Sequence, residues 1–581
     1  MPICGQSDST RQDAVQKKFP GVYRLFVMCC RVLLLLVHAL IFQFTHAAYA
    51  ASISLAWDPH LDSNLVGYNI YRSSELGKFT SAPLNGESPV TTTSFTDSTV
   101  QAGTYYYVVK AVDTLGRESD ASNQIEATVN TPDGDAILFT IQSTTIAKPS
   151  RNSLEILDSN GAPWSAADAS EPRFGYARMQ VEPGRVSNSI AAISRSVGET
   201  VVSETAVAAS APIRTGRLYV NVDGRINTGL ALVNNENVEA VISFYFTDAK
   251  GVDFGHGSFT LEGKHSISRF ANQAPFNLRT SMQGTLTFNS SLPVTVTGIR
   301  GLTNERGELL MTTQPVSSLD ASTARTSIIF PYFSDGGGWS TQVVLINPTD
   351  TPITGALQFF GPASPAVPVS TLTLTVNGAT GSLFDYMIPP RSTVRFVTAN
   401  ASSDIHTGYI LATPEDGSVV PHGFSILSIS NQGITVSETS IPAASPETVL
   451  QMYVEKSATL HSRLAVANPS ASPAWATFEL APLHGSSLTR ITSVLIRSGG
   501  HIAPLIEDLF PALHDGFQGL LGILSTQSIG VAALRIRDNK RGDLIVTGIP
   551  VFSEAPSSTS STVVFPLVVR GAGFSTEFVT N

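Results

Sequence analysis

One stretch constrains the fold of this chain more than any other: Trp339-Ser340-Thr341-Gln342-Val343-Val344-Leu345-Ile346-Asn347-Pro348. It is an alternating strand that halts at an Asn-Pro turn, and the chain writes it about four times, the other copies starting at Ile226, Leu460 and Phe574. At every second position the copies read Ile226, Thr228, Leu230, Leu232, Asn234; Trp339, Thr341, Val343, Leu345, Asn347; and Leu460, Ser462, Leu464, Val466, Asn468. The last begins Phe574, Thr576, Phe578. Side chains at i, i+2 and i+4 share one face of a strand, so this is a single repeated face: bulky, small hydroxyl, aliphatic, aliphatic, Asn. Successive Asn markers lie 113 and 121 residues apart. That period is too long for a solenoid turn or a propeller blade and suits a whole sandwich of about seven strands.

The expected fold class is therefore all-β, a string of tandem β-sandwiches. Composition agrees: Val, Ile, Thr, Phe and Tyr run in long stretches punctuated by 45 Gly and 34 Pro, which favours strands and turns. At 581 residues several cores are expected. Only 14% of residues are charged, and the formal net charge is -10. An acidic balance argues against nucleic acid as a partner, because its binders need a basic footprint.

Residues 1–50 read as an export signal peptide. Lys17, Lys18, Arg24 and Arg31 precede an apolar run over 32–44, and Ala48-Tyr49-Ala50 supplies a small-x-small motif, with cleavage expected after Ala50. The competing reading is an uncleaved anchor over 25–44, which Arg31 and His38 interrupt; the membrane would be met only through this leader. The three cysteines, Cys4, Cys29 and Cys30, all precede the cleavage site. The exported chain would then hold no disulfide and no cysteine-ligated metal.

Residues 51–130 contain Leu55-Ala56-Trp57-Asp58-Pro59, Val66-Gly67-Tyr68-Asn69-Ile70-Tyr71-Arg72, Thr93-Ser94-Phe95-Thr96-Asp97 and Gly103-Thr104-Tyr105-Tyr106-Tyr107-Val108-Val109. On these motifs the segment resembles a fibronectin type III domain. The resemblance implies Trp57 in the core between two sheets and a tyrosine corner at Tyr105. So few residues precede Trp57 that the first strand is expected to be very short or missing.

The rest divides into a linker and divergent repeat (131–211), three clear repeats (212–318, 325–443, 448–555) and the restart of another (561–581). Val202-Ser203-Glu204-Thr205 recurs as Val436-Ser437-Glu438-Thr439, and the hairpin from Asn304 to Thr312 parallels that from Asn539 to Thr547. Phe565-Pro566 and Phe574-Ser575-Thr576 match Phe330-Pro331 and Trp339-Ser340-Thr341 at an offset of 235, or two repeats. A lone pair of strands cannot bury its apolar face. The favoured expectation is a further repeat cut short. The alternative is strand addition to a preceding domain or a neighbouring molecule.

No catalytic constellation stands out. Arg541-Gly542-Asp543 is an integrin-type tripeptide, but a Gly between polar residues and flanked by strand residues is a turn signal first. Asp158-Ser159-Asn160-Gly161 and Asp133-Gly134-Asp135 lack the downstream Glu of a calcium loop and read as Asx turns. The histidines are scattered, His256 and His265 included. Gly255-His256-Gly257-Ser258-Phe259 reads as a Gly-rich turn rather than a hydrolase elbow. Trp164 and Trp475, in Pro/Ala-rich surroundings, are the candidate ligand-contacting aromatics. No cofactor and no metal site is expected.

The leading functional expectation is a non-enzymatic secreted or cell-surface protein, an adhesion or interaction scaffold or spacer whose partner is an extracellular protein or polysaccharide. The alternative is a carbohydrate-binding accessory protein of polysaccharide-degrading machinery, since this fibronectin-like module often accompanies such machinery. An enzyme hidden in 131–211 is the third.

Overall fold

The structure is a computed structural model that describes residues 53–129 and 153–579, except 58–63, 81, 87, 98, 102, 123, 165–169, 181–188, 321–326, 363–369, 484–488 and 554–561. The leader and the Asp133-Gly134-Asp135 motif lie outside the described residues. Strands dominate; among the described residues the sole α-helix is Ile506–Leu509.

The repeated face forms the second arm of a hairpin in each of four sandwiches. The paired arms are Ile213–Val222 with Ile226–Val233, Ile328–Asp335 with Trp339–Ile346, Glu447–Ser457 with Leu460–Ala467, and Thr562–Arg570 with Phe574–Val579. The two arms part after the turn, so their backbones cannot bond each other along their length. The small hydroxyl bridges them instead. The Oγ of Thr228, Thr341, Ser462 and Thr576 donates to the carbonyl, and accepts from the N–H, of the residue seven positions upstream, at 2.8–3.1 Å in every copy. The Asn that ends the strand is fully buried in three copies. Nδ2 of Asn347 reaches the carbonyls of Thr351, Ile388 and Pro389, while its Oδ1 accepts from the Thr349 N–H. Asn234 and Asn468 repeat this arrangement. The motif is thus a polar frame inside an apolar pattern, and buried backbone groups require such partners.

The last copy overturns the expectation of a truncated repeat at 561–581. Thr562–Arg570 pairs antiparallel with Arg173–Gln180, and Phe574–Val579 with Ile190–Val197. These strands are the front hairpin that the divergent repeat around 136–210 lacks in sequence. They close one sandwich whose core joins Ala177, Met179 and Ile193 to Phe565, Leu567 and Val568. The 235-residue offset therefore marks the missing piece of the first sandwich.

Nor are the sandwiches strung out as beads. Their inner strands, Thr200–Ala208, Leu309–Gln314, Ile434–Pro442 and Leu544–Ile549, pack each on the next, and the last packs on the first. Apolar clusters span the junctions: Leu157, Tyr176, Val233 and Val564 between sandwiches one and two; Tyr219, Val344 and Phe424 between two and three; Ile429, Ala465 and Val546 between three and four; Ile190 and Ala206 against the core of four. The result is a closed four-membered ring. The N-terminal segment forms a smaller two-sheet unit around Trp57, Ile70 and Tyr107. Its first described strand, Ile53–Ala56, has four residues, and the Tyr105 hydroxyl accepts from the Gln101 N–H at 3.1 Å. The strand Ile125–Val129 adds in parallel to Thr489–Ile496 of sandwich four, which joins the two units into one sheet.

Two outcomes are expected. Asn347→Ala should cost about 2–4 kcal/mol, since it strands buried carbonyls. Asn347→Asp should cost more at neutral pH, because a carboxylate cannot donate to them; denaturant midpoints measure both. Deleting residues 556–581 should expose the first sandwich's core, seen as dye binding and a broadened unfolding transition, and a peptide of that sequence added in trans should reverse both.

Candidate functional site

Two polar regions are assembled from distant parts of the chain: the ring axis and a cleft between the first two sandwiches.

At the axis, the Val-Ser-Glu-Thr motifs explain themselves. Ser203 Oγ accepts from the Met311 N–H at 2.8 Å and Thr205 Oγ1 from that of Thr313 at 3.0 Å. Ser437 and Thr439 do the same for Val546 and Gly548. These side chains substitute for a backbone ladder from sandwich one to two and from three to four. The glutamates hold the other two junctions. Glu438 takes a forked bond from Arg300 at 2.7 and 3.1 Å, and Glu204 lies 3.0 Å from Arg535. Across the axis Arg306 meets Asp543 and Arg541 meets Glu308, each at 2.6 Å.

The Arg541-Gly542-Asp543 tripeptide is therefore a turn: Gly542 has φ +75°, Asn539 Oδ1 accepts from the Arg541 and Asp543 N–H groups, and Asp543 is 4% exposed. The bond and charge of Arg306 hold its carboxyl below the usual range. With Asp543 buried and the Arg306 side chain 30% exposed, the pair is weak evidence for net stability.

Other sequence candidates resolve as structure. Asp158 Oδ1 accepts from the N–H groups of Asn160 and Ala162, an Asx turn. The Gly255–Phe259 stretch is not a turn, as expected, but part of the strand Asp253–Leu261. Gly255 sits at a bulge with φ +62°, and a Cβ on Gly257 would come within 2.5 Å of the Phe244 ring. His256 stacks on Tyr245 at 5.5 Å. Trp475 is half-buried on the strand Ala474–Pro482, in a different sandwich from Trp164. Among the described residues no group of three or more metal-ligating side chains occurs, and no helix is long and apolar enough to cross a membrane.

The first sandwich departs from its siblings in one connection. In sandwich three, residues 361–405 carry the strands Leu383–Ile388 and Thr393–Val397. In sandwich one the corresponding connection is only residues 159–172, between Ser153–Asp158 and Arg173–Gln180. Between the first and second sandwiches lies a cleft of about 590 Å3. Trp164 lies in it, its ring over Gly175, where a Cβ would approach within 2.4 Å. Phe174, Arg173, Arg269, His265 and Glu262 share the lining. At the equivalent junction of sandwiches three and four, Phe360 stacks on Tyr409 at 4.7 Å and His501 lies 6.1 Å beyond. Leu157 stands opposite Tyr176 where Phe360 stands opposite Tyr409. Trp164 was legible in sequence as a candidate. The two arginines were not, because nothing local distinguishes them.

No family model and no curated protein matches the chain. Among solved structures, it is similar to the BcpA major pilin subunit of Bacillus cereus (9% identity, 68% of this chain and 93% of that one, TM-score 0.10). Others are an alpha-L-rhamnosidase from Dictyoglumus thermophilum (10%, 68% and 47%, TM-score 0.13) and the major pilin SpaD of Corynebacterium diphtheriae (8%, 66% and 87%, TM-score 0.10). At these TM-scores the likenesses carry no argument about this chain.

Junction chemistry sets a pH dependence. His501 is fully buried at the junction of sandwiches three and four, its Nε2 3.0 Å from the Pro331 carbonyl. Burial holds it down to about 4 from an ordinary 6.5. A histidine kept neutral stabilises fully above 6.5, and that contribution falls as pH drops from 6.5 towards 4, by up to about 3 kcal/mol. Glu305 bonds the Thr435 N–H and Arg225, in that order of effect, and is held at about 2. Its contribution is complete above 4.5 and is lost between there and 2. Denaturant midpoints should thus decline in two steps on acidification, and His501→Phe should flatten the upper one.

Proposed function

We propose that this chain is a non-enzymatic, exported, modular protein that serves as an adhesion or interaction scaffold, with an N-terminal fibronectin type III-like module. The observation that carries the reading is where its buried polar residues go. Glu204, Glu438, Arg300, Arg535, Ser203 and Ser437 all bind other parts of the ring, so they define shape rather than meet a substrate. A closed ring with an N-terminal unit joined through a shared sheet is a stiff frame that holds outward surfaces at set distances. Partners are expected to be extracellular proteins or polysaccharides.

The second reading, a carbohydrate-binding accessory protein, is favoured by one observation: Trp164 lines the cleft between sandwiches one and two. Trp475 lends it less support, since it lies on a strand of the fourth sandwich and does not line this cleft.

The scaffold reading is tested in cells that produce the full chain. It should be cleaved after Ala50, appear outside the cytoplasm and be accessible to added protease. Incubated with matrix proteins and polysaccharides, it should retain some and leave all intact. Cytoplasmic retention, or release of shortened polymer, would overturn the proposal.

A further inference from the structure

We infer that the cleft between the first and second sandwiches is a binding site for an anionic saccharide, a sugar chain bearing carboxylate or sulfate groups. This rests on the carbohydrate reading and adds the charge class of the ligand.

Three observations support it. The cleft is a concavity of about 590 Å3 between Asp158, Trp164 and Arg173 of the first sandwich and Glu262, His265 and Arg269 of the second, beside the apolar contact of Leu157, Tyr176 and Val233. Pockets with a few convergent polar groups and aromatic walls are the usual form of small-ligand sites. Secondly, Trp164 and Phe174 line it, and flat aromatic faces suit the apolar C–H faces of pyranose rings.

Thirdly, the cations there are uncommitted. In a chain with 46 acidic and 36 basic residues, Arg173 and Arg269 line one cleft, and among the described residues neither has a carboxylate partner. Arg269 donates only to the carbonyl of its neighbour Ser268. Arg173 lies directly opposite Arg570 on the adjoining strand, a like-charge pair that is unfavourable in the absence of an anion. Of the described acids, Asp158 lines the cleft with its Oδ1 capping its own turn, the 75% exposed Glu262 lies 3.5 Å from His265, and Glu171 is exposed beside the strand that carries Arg173. Arginine is the side chain suited to forked bonds with carboxylate and sulfate oxygens.

The test titrates the full chain with oligogalacturonate (carboxylate arm), heparin oligosaccharide (sulfate arm) and neutral cello-oligosaccharide, by calorimetry at low and high salt. Saturable binding of at least one anionic probe is expected, weakened about tenfold or more by Arg269→Gln and by Arg173→Gln, and weakened by salt. Both side chains are exposed, so the fold should survive. Arg173→Gln should raise the thermal midpoint of the free protein while lowering affinity, a pairing that a purely structural role would not produce. Binding of the neutral probe alone, lost in Trp164→Ala, would overturn the anionic assignment and leave the carbohydrate reading standing. No binding of any probe, or anionic binding indifferent to both arginine substitutions, would overturn the site.

Discussion

The structure depends on the pairing of Thr562–Arg570 with Arg173–Gln180 across almost 400 residues of chain. Without it the first sandwich has a back and no front. With it, every one of the four sandwiches has the same hairpin, the same hydroxyl bridge and a neighbour on both sides. Closure also removes the end faces that an open row of sandwiches would present to water, since inner strands pack in a cycle. Contacts this distant in sequence are slow to form, because loop closure must precede any gain from them.

The ring alternates two kinds of junction. One and two, like three and four, are joined by serine and threonine hydroxyls that bond backbone. Two and three, like four and one, add Arg-Glu pairs to such bonds, Ser440 Oγ donating to the Thr313 carbonyl and Thr547 Oγ1 to that of Glu204. The alternation follows the 235-residue offset, so the unit of repetition in chemistry is a pair of sandwiches. Two facing hairpins close the axis with reciprocal ion pairs, Arg306 to Asp543 and Arg541 to Glu308. Of these charges Asp543 is buried, while Arg306 and Arg541 reach their partners from partly exposed positions.

Against this regularity the first sandwich is the exception. It is built from both ends of the ring-forming chain, and the cleft lies where it meets the second sandwich. Symmetry breaking of this sort is where specific binding can be separated from the framework, because a change in the cleft need not disturb the repeated hairpins. Function resides in such local departures and cannot be read from the sandwich architecture itself.

The sequence alone determined the strand periodicity, the four copies of the repeated strand and the role of the terminal Asn as a stop. These are local: a strand's two faces and a turn's residues are fixed within ten positions. It also identified the Val-Ser-Glu-Thr duplication and the 235-residue match, without their meaning. Only the tertiary structure decided that the C-terminal strands complete the first sandwich, that Asp543 faces Arg306, and that Arg173 and Arg269 share a cleft with Trp164. Each of those is a choice among chemically equivalent partners far apart along the chain, and alternation in a strand states which face is apolar without stating which strand will cover it.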